Sequence, residues 1–282
     1  MKKSIFVKVL ELSMLMACSY SPPSHQSKPK KIISNTMEYK SLYRKIPIKD
    51  STDYLNRFEP YSFKQLPYQL QKPLDYDSTQ SYPLLLFLHG VLHRGTDNQI
   101  QTEDILPIWA SRKMQKKYPC FLVAPQCPKT THWARFRREN GTVVMESEPS
   151  EPVRLLFELI DTLCQEFPID RKRIYITGLS MGGFGTFDML LRKPNLFAAA
   201  VPVCGGGVDS RADEIKHIPM WIFHGSQDEV VSVKYSRDMV KNLEKLGASP
   251  RYTEYADVKH DSWVEAYQDM AMWEWLFAQK RQ

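Results

Sequence analysis

Ser180, Asp228 and His260 have the types, the chain order and the settings that nucleophilic acyl chemistry needs. A serine hydroxyl attacks a carbonyl carbon only when a base removes its proton, and a histidine base needs a carboxylate to hold its tautomer. Ser180 lies in Arg173-Ile-Tyr-Ile-Thr-Gly-Leu-Ser180-Met-Gly-Gly-Phe-Gly185, which reads as a buried strand, a forced turn and a helix start. Within it, Gly178-Leu179-Ser180-Met181-Gly182 fits G-x-S-x-G, whose small flanking residues let the chain bend sharply and hold the serine in a strained conformation. Three fixed positions arise by chance in roughly one chain in ten of this length, so the setting has to decide. Ile174-Tyr-Ile-Thr177 is β-branched and aromatic, as a strand requires. Phe184, Phe187, Met189, Leu190 and Leu191 then continue at spacings a helix can bury, ending before Pro194.

Asp228 follows the apolar run Met220-Trp-Ile-Phe223 at a distance from which a loop carboxylate reaches the rim of a sheet. His260, in Asp257-Val-Lys-His-Asp-Ser-Trp263, falls between the last strand and the last helix. Glu229, Asp261 and Asp257 are rival acids, better suited to solvated loop charges or helix caps. Among the seven histidines, His25 and His217 are badly placed for a rim. His89 and His224 each precede a glycine at a strand end, where a histidine shapes a turn by hydrogen bonding. His93 and His132 lie in loops within reach of a substrate, and Trp133 is a candidate wall for a substrate pocket. An acyl transfer also needs donors for the oxyanion, and fixed backbone N–H groups serve best. Met181, at the helix start after the nucleophile, is one; Val91, in the turn after His89-Gly90, is the other, with Leu92 second.

The elements that must carry these residues alternate. Tyr82 to Leu88 and Cys120 to Ala124 are short continuous apolar runs, each expected as a strand covered on both faces. Asp104 to Lys117 supplies a helix between them. Pro152 to Phe167 is an amphipathic helix, with apolar residues at Val153, Leu155, Leu156, Leu159, Ile160 and Leu163. Strands follow at 174–177, 198–203, 220–223 and 251–255, with helices over 233–246 and 262–277. Tyr39 to Ile48 and Tyr61 to Gln71 alternate and predict antiparallel edge strands. The fold class is therefore α/β, a mostly parallel central sheet with helices on both faces. Ligands bind such sheets at the carboxyl ends of the strands, so His89-Gly90, Ser180, Cys204 to Gly207, His224-Gly225 and Asp228 should meet on one rim.

Leu88-His-Gly-Val-Leu-His-Arg-Gly-Thr-Asp-Asn98, Ala124-Pro-Gln-Cys-Pro128, Gly178-Leu-Ser-Met-Gly-Gly-Phe-Gly185, Pro202-Val-Cys-Gly-Gly-Gly207 and His224-Gly-Ser-Gln-Asp-Glu-Val-Val231 resemble the successive signatures of exported esterases of the α/β-hydrolase superfamily. The resemblance runs from about Tyr61 to the C-terminus. It is to the group labelled predicted peptidases or prolyl-oligopeptidase-like, close to polyhydroxybutyrate depolymerases and feruloyl esterases. It implies a serine esterase working through an acyl-enzyme with Ser180, His260 and Asp228. The implied substrate is a small-molecule or polysaccharide-linked ester, such as an acetyl or feruloyl group. Prolyl oligopeptidases add a propeller domain for which this chain has no room, so peptidase activity is the weaker expectation. Val91-Leu92-His93 departs from the small and acidic residues usual in the oxyanion loop. A glycan- or partner-binding protein on an inert hydrolase scaffold, and an acyltransferase using the same triad, are the rival classes.

The chain has 282 residues, 43% of them hydrophobic, enough for one large domain. A net charge of +6 spread among 32 acidic residues gives little support to nucleic-acid binding, and Arg135, Arg137 and Arg138 read as a solvated loop. Neither C-x-x-C nor H-E-x-x-H occurs, and the chemistry calls for no metal or other cofactor. Residues 1–17 read as a signal peptide, with Met1-Lys-Lys before an apolar stretch interrupted by Lys8 and Glu11. Leu15-Met-Ala-Cys18 resembles a bacterial lipobox, which implies a lipid anchor on Cys18, and Ser19 in place of aspartate implies an outer-membrane destination. Residues 18–36 form a tether rich in Ser, Pro, Lys and Gln, and residues 37–282 the catalytic domain. An exported location would permit disulfides among Cys120, Cys127, Cys164 and Cys204, with the pairing open.

Overall fold

The computed structural model describes residues 57–103, 106–139 and 142–282, so Cys18, the residues before it and the expected strand at 39–48 lie outside the described residues. In chain order the elements are β1 (Glu59–Phe63), β2 (Leu66–Gln71), β3 (Tyr82–Leu88), α1 (Leu106–Ala110), α2 (Arg112–Lys117), β4 (Phe121–Pro125), β5 (Phe136–Glu139) and β6 (Thr142–Met145). They continue with α3 (Glu151–Glu166), β7 (Ile169–Leu179), α4 (Met181–Arg192), β8 (Ala199–Val203), β9 (Trp221–Gly225), α5 (Lys234–Lys245), β10 (Arg251–Tyr255), α6 (Trp263–Gln268) and α7 (Met270–Ala278).

The unbroken apolar run of β3 is explained by its place in the sheet. Every residue of it is buried. Leu84, Leu86 and Leu88 face one core, with Leu156 and Ile160 of α3, Phe187 of α4 and Met239 of α5. Leu85 and Phe87 face the opposite core, with Trp109 of α1 and Trp273 of α7. Successive side chains point to opposite faces of a strand, so a strand covered on both faces has no position for a polar residue.

Eight strands form one sheet in the order β1-β2-β4-β3-β7-β8-β9-β10. From β4 to β10 the pairs are parallel, and β2 pairs antiparallel with both β1 and β4, as the alternation at 61–71 predicts. The chain passes from β3 to β4 on one side and later to β7 on the other, which makes the carboxyl ends of β3 and β7 the topological switch point. Leu88 and Gly178 pair there, so the two strands end level with each other.

Two predicted helices are interrupted. Over 106–117 the break falls at Ser111, whose side chain accepts from the Met114 N–H and starts α2 afresh. Over 262–277 it falls at Asp269, extended at φ −72° and ψ 105°, whose carboxylate accepts from the Ala271 N–H and starts α7. In both places a short polar side chain satisfies an N–H at a new helix start in preference to a continuous helix, and periodicity alone does not register that. Ser150 caps α3 in the same way, at the boundary expected.

The long connection between β4 and α3 forms a two-stranded ribbon, β5 with β6, held down by buried anchors. Arg192 of α4 pairs with Asp188 at 2.8 Å, both side chains nearly excluded from solvent. The same guanidinium donates to the carbonyl oxygens of Glu146, Ser147 and Glu148 at 3.0, 2.8 and 3.2 Å. Burial pushes the Asp188 carboxyl up, against the pull of Arg192.

Candidate active site

Ser180 sits between β7 and α4 at φ 54° and ψ −117°, a positive φ that a side-chain-bearing residue rarely adopts. The strain is held from both sides. The Ser180 N–H donates to Val203 O of β8 at 2.9 Å, and the Phe184 N–H closes the first helical turn onto Ser180 O at 3.1 Å. The flanking glycines are required by close approach: a Cβ on Gly182 would press on Leu88 O, and one on Gly178 on Gly182 O, each closer than the 3.0 Å that Cβ atoms essentially never breach.

The histidine loop and the acid loop press together at the next strand end. A Cβ on Gly225 would collide with the carbonyls of Val258 and Lys259, and the Gln227 N–H donates to Val258 O at 3.0 Å. This contact carries His260 over the rim. Its Nε2 lies 2.8 Å from Ser180 Oγ and its Nδ1 2.7 Å from Asp228 Oδ2. Asp228 Oδ1 accepts from the Val230 and Val231 N–H groups at 2.9 and 2.8 Å. Burial alone would raise the Asp228 carboxyl; the positive charge His260 carries when protonated and hydrogen bonds from His224 and His260 outweigh it and hold the group well below the usual carboxylate range. Asp228 is thus the acid brought to the histidine. The rival Asp257 is exposed and takes a hydrogen bond from Gln227 Nε2, and Glu229 is exposed.

Met181 opens α4 and Val91 opens the 3-10 turn Val91–His93, on the two sides of the switch point. Neither N–H donates in the hydrogen bonds among the described residues, as donors reserved for an oxyanion require. The turn that carries Val91 is fastened by His89. Its ring is fully buried, with Nδ1 2.7 Å from Gly90 O and Nε2 accepting from the Cys127 N–H at 3.0 Å, so the neutral Nδ1–H tautomer fits. Burial pushes this histidine down to about 3.

The pocket assignments need correction. Trp133 is wholly buried and its indole N–H donates to His89 O at 3.0 Å, so it backs the turn after β3 instead of walling an open pocket. His93 is also buried, edge-on to His89. The sequence leaves Trp133 as either pocket wall or packing and puts His93 in a loop within reach of a substrate; in the structure the indole packs between the His89 ring and Gly185 of α4. The four described cysteines are free thiols, so the disulfides that export would permit are not formed. Cys204, Asp228 and His260 offer ligand atoms within 4.8 Å of one another. Burial keeps the Cys204 thiol protonated and N–H donors occupy the carboxylate, so this cluster is arranged for hydrogen bonding and does not fit a zinc ion. Sequence reasoning gave His224 only a turn-shaping role. It does donate towards Val231 O, at 3.0 Å, but it also comes within 3.2 Å of Asp228 Oδ2, and no spacing rule signals that.

A serine at a strained strand-to-helix bend, a histidine and an aspartate in chain order Ser, Asp, His, and a mostly parallel sheet covered by helices on both faces define the α/β-hydrolase class. Residues 76–273 match the phospholipase/carboxylesterase family, and the chain belongs to it. A solved thermostable esterase is 40% identical with a TM-score of 0.75, over 81% of this chain and 64% of that one. A bifunctional acetylxylan esterase/xylanase of Neocallimastix patriciarum is 27% identical over 40% of this chain, which spans 18% of that protein's length. Feruloyl esterase D of Neurospora crassa is 23% identical, over 62% of this chain and 58% of its own.

Proposed function

We propose that this chain is a serine esterase that cleaves carboxylic esters through Ser180, His260 and Asp228. The observation that carries the reading is the position of His260, 2.8 Å from Ser180 Oγ on one side and 2.7 Å from Asp228 Oδ2 on the other. His260 takes the Ser180 proton as Oγ attacks the ester carbon, and the oxyanion formed is met by the Met181 and Val91 N–H groups. The tetrahedral intermediate collapses to an acyl-enzyme as His260 passes its proton to the departing alkoxide. A water, deprotonated by the same histidine, then releases the acid and restores Ser180.

For substrate, we propose an ester carried on a carbohydrate, with acetyl and feruloyl groups the first candidates. The support is the likeness to an acetylxylan esterase and a feruloyl esterase, neither of which the chain spans by two thirds. Hydrolysis of acetylated xylan, methyl ferulate and short aliphatic p-nitrophenyl esters by the purified protein tests the assignment. A folded protein that hydrolyses none of them and resists a fluorophosphonate probe at neutral pH would be a binding protein on a hydrolase scaffold. Transfer of the acyl group to an added alcohol or sugar in preference to water would make it an acyltransferase.

A further inference from the structure

A second histidine attends the acid. His224, on β9, is fully buried, and its Nε2 lies 3.0 Å from Val231 O and 3.2 Å from Asp228 Oδ2. Both neighbours are acceptors, so Nε2 carries the proton and shares it between them, with the shorter leg to the carbonyl. Nδ1 lies 2.7 Å from the hydroxyl of Ser236, a buried residue of α5, which donates to the ring and holds that tautomer. Asp228 therefore faces four N–H groups, those of Val230, Val231, His260 and His224.

We propose that Ser236 and His224 are positioning residues for the esterase reaction: Ser236 sets the tautomer of His224, and His224 orients Asp228 and draws charge from the oxygen that holds His260. This rests on the Ser180, His260 and Asp228 reading above. A carboxylate met on both oxygens cannot rotate away from His260, and each N–H it accepts weakens its own pull on the imidazole proton. The other titratable groups around His224 are already engaged. Glu254 lies opposite it in the β9–β10 register and is held by Arg237 of α5 at 2.6 and 2.8 Å, while Cys204 at the end of β8 stays a buried thiol.

The test measures, across pH, the rate at which the full-length protein is labelled by a fluorophosphonate probe, together with the downfield proton resonance of the His260 Nδ1–H. His224→Gln keeps an N–H where Nε2 was and should stay within about threefold of wild type. His224→Leu should lose about tenfold or more in labelling rate. Its acid limb should move up by roughly half a pH unit, because Asp228, relieved of one donor, holds the proton on His260 more tightly. Ser236→Ala should move rate, acid limb and resonance in the same direction by less, and it decides the matter if His224→Leu does not fold. A folded His224→Leu or Ser236→Ala protein with wild-type rate, acid limb and resonance, losing only thermal stability, overturns the proposal. A folded wild-type protein that takes no label overturns the triad reading itself, and this inference with it.

Discussion

Gly182 and Leu88 are packed so closely that a Cβ on the glycine would lie inside the contact distance of the Leu88 carbonyl oxygen. That contact presses the first turn of α4 against the end of β3, at the switch point of the sheet. The obstructing atom is backbone and cannot swing aside. Gly182→Ala should therefore cost about 3 kcal/mol or more, by urea unfolding, and abolish esterase activity in whatever protein folds. A stable, active Gly182→Ala protein would mean that the bend is looser than this contact implies.

Ser180→Ala and His260→Ala should each lower hydrolysis of a short p-nitrophenyl ester by about 10³-fold or more, without loss of fold. Asp228→Asn should be damaging too, through the wrong histidine tautomer. Asp261→Asn should leave turnover close to wild type. Full activity in the Ser180 or His260 variant would remove the triad, and equal losses in the two aspartate variants would undo the choice of Asp228.

Stability should fall on mild acidification. His89 is held neutral by burial, pushed down to about 3 from an ordinary 6.5, so between those values the unfolded chain binds a proton that the folded one refuses. Its contribution is complete well above pH 6.5 and shrinks as pH falls, by about 2 kcal/mol between pH 7 and 5. His132, pushed down to about 4 by burial and then by Arg94, acts in the same direction. Unfolding free energies at pH 7 and pH 5 measure the change, and His89→Gln should flatten it.

Arg192→Ala should cost about 3–5 kcal/mol, because it leaves Asp188 buried and unpaired and frees the three carbonyls that follow β6. Limited proteolysis should then cut first between residues 126 and 150. Arg192→Lys recovers only part of the loss, since one ammonium cannot reproduce the guanidinium's fork.

Much of this site was legible because its parts stand at fixed offsets from strand ends. The run before Ser180, the acid after Phe223 and the histidine after Tyr255 each follow a stretch whose composition permits only a buried or edge strand, and a parallel sheet puts such ends on one rim. The breaks at Ser111 and Asp269 were not legible, since the apolar period runs through them and only the capping geometry separates one helix from two. Trp133 read equally well as pocket or packing. Its burial depends on the indole meeting His89 and Gly185 and on Ser150 holding its carbonyl, contacts that come from elements far apart in the chain.

The linear order of residues determined the class of fold and put Ser180 and His260 on one rim of the sheet, because local composition dictates strands and turns, and the rules of parallel sheets bring strand ends together. Only the tertiary structure decided which carboxylate His260 meets, that His224 meets the same oxygen, and that His93 and Trp133 are buried. Those outcomes depend on distances of a few ångströms between loops that share no sequence pattern, and such distances are fixed only when the whole core packs.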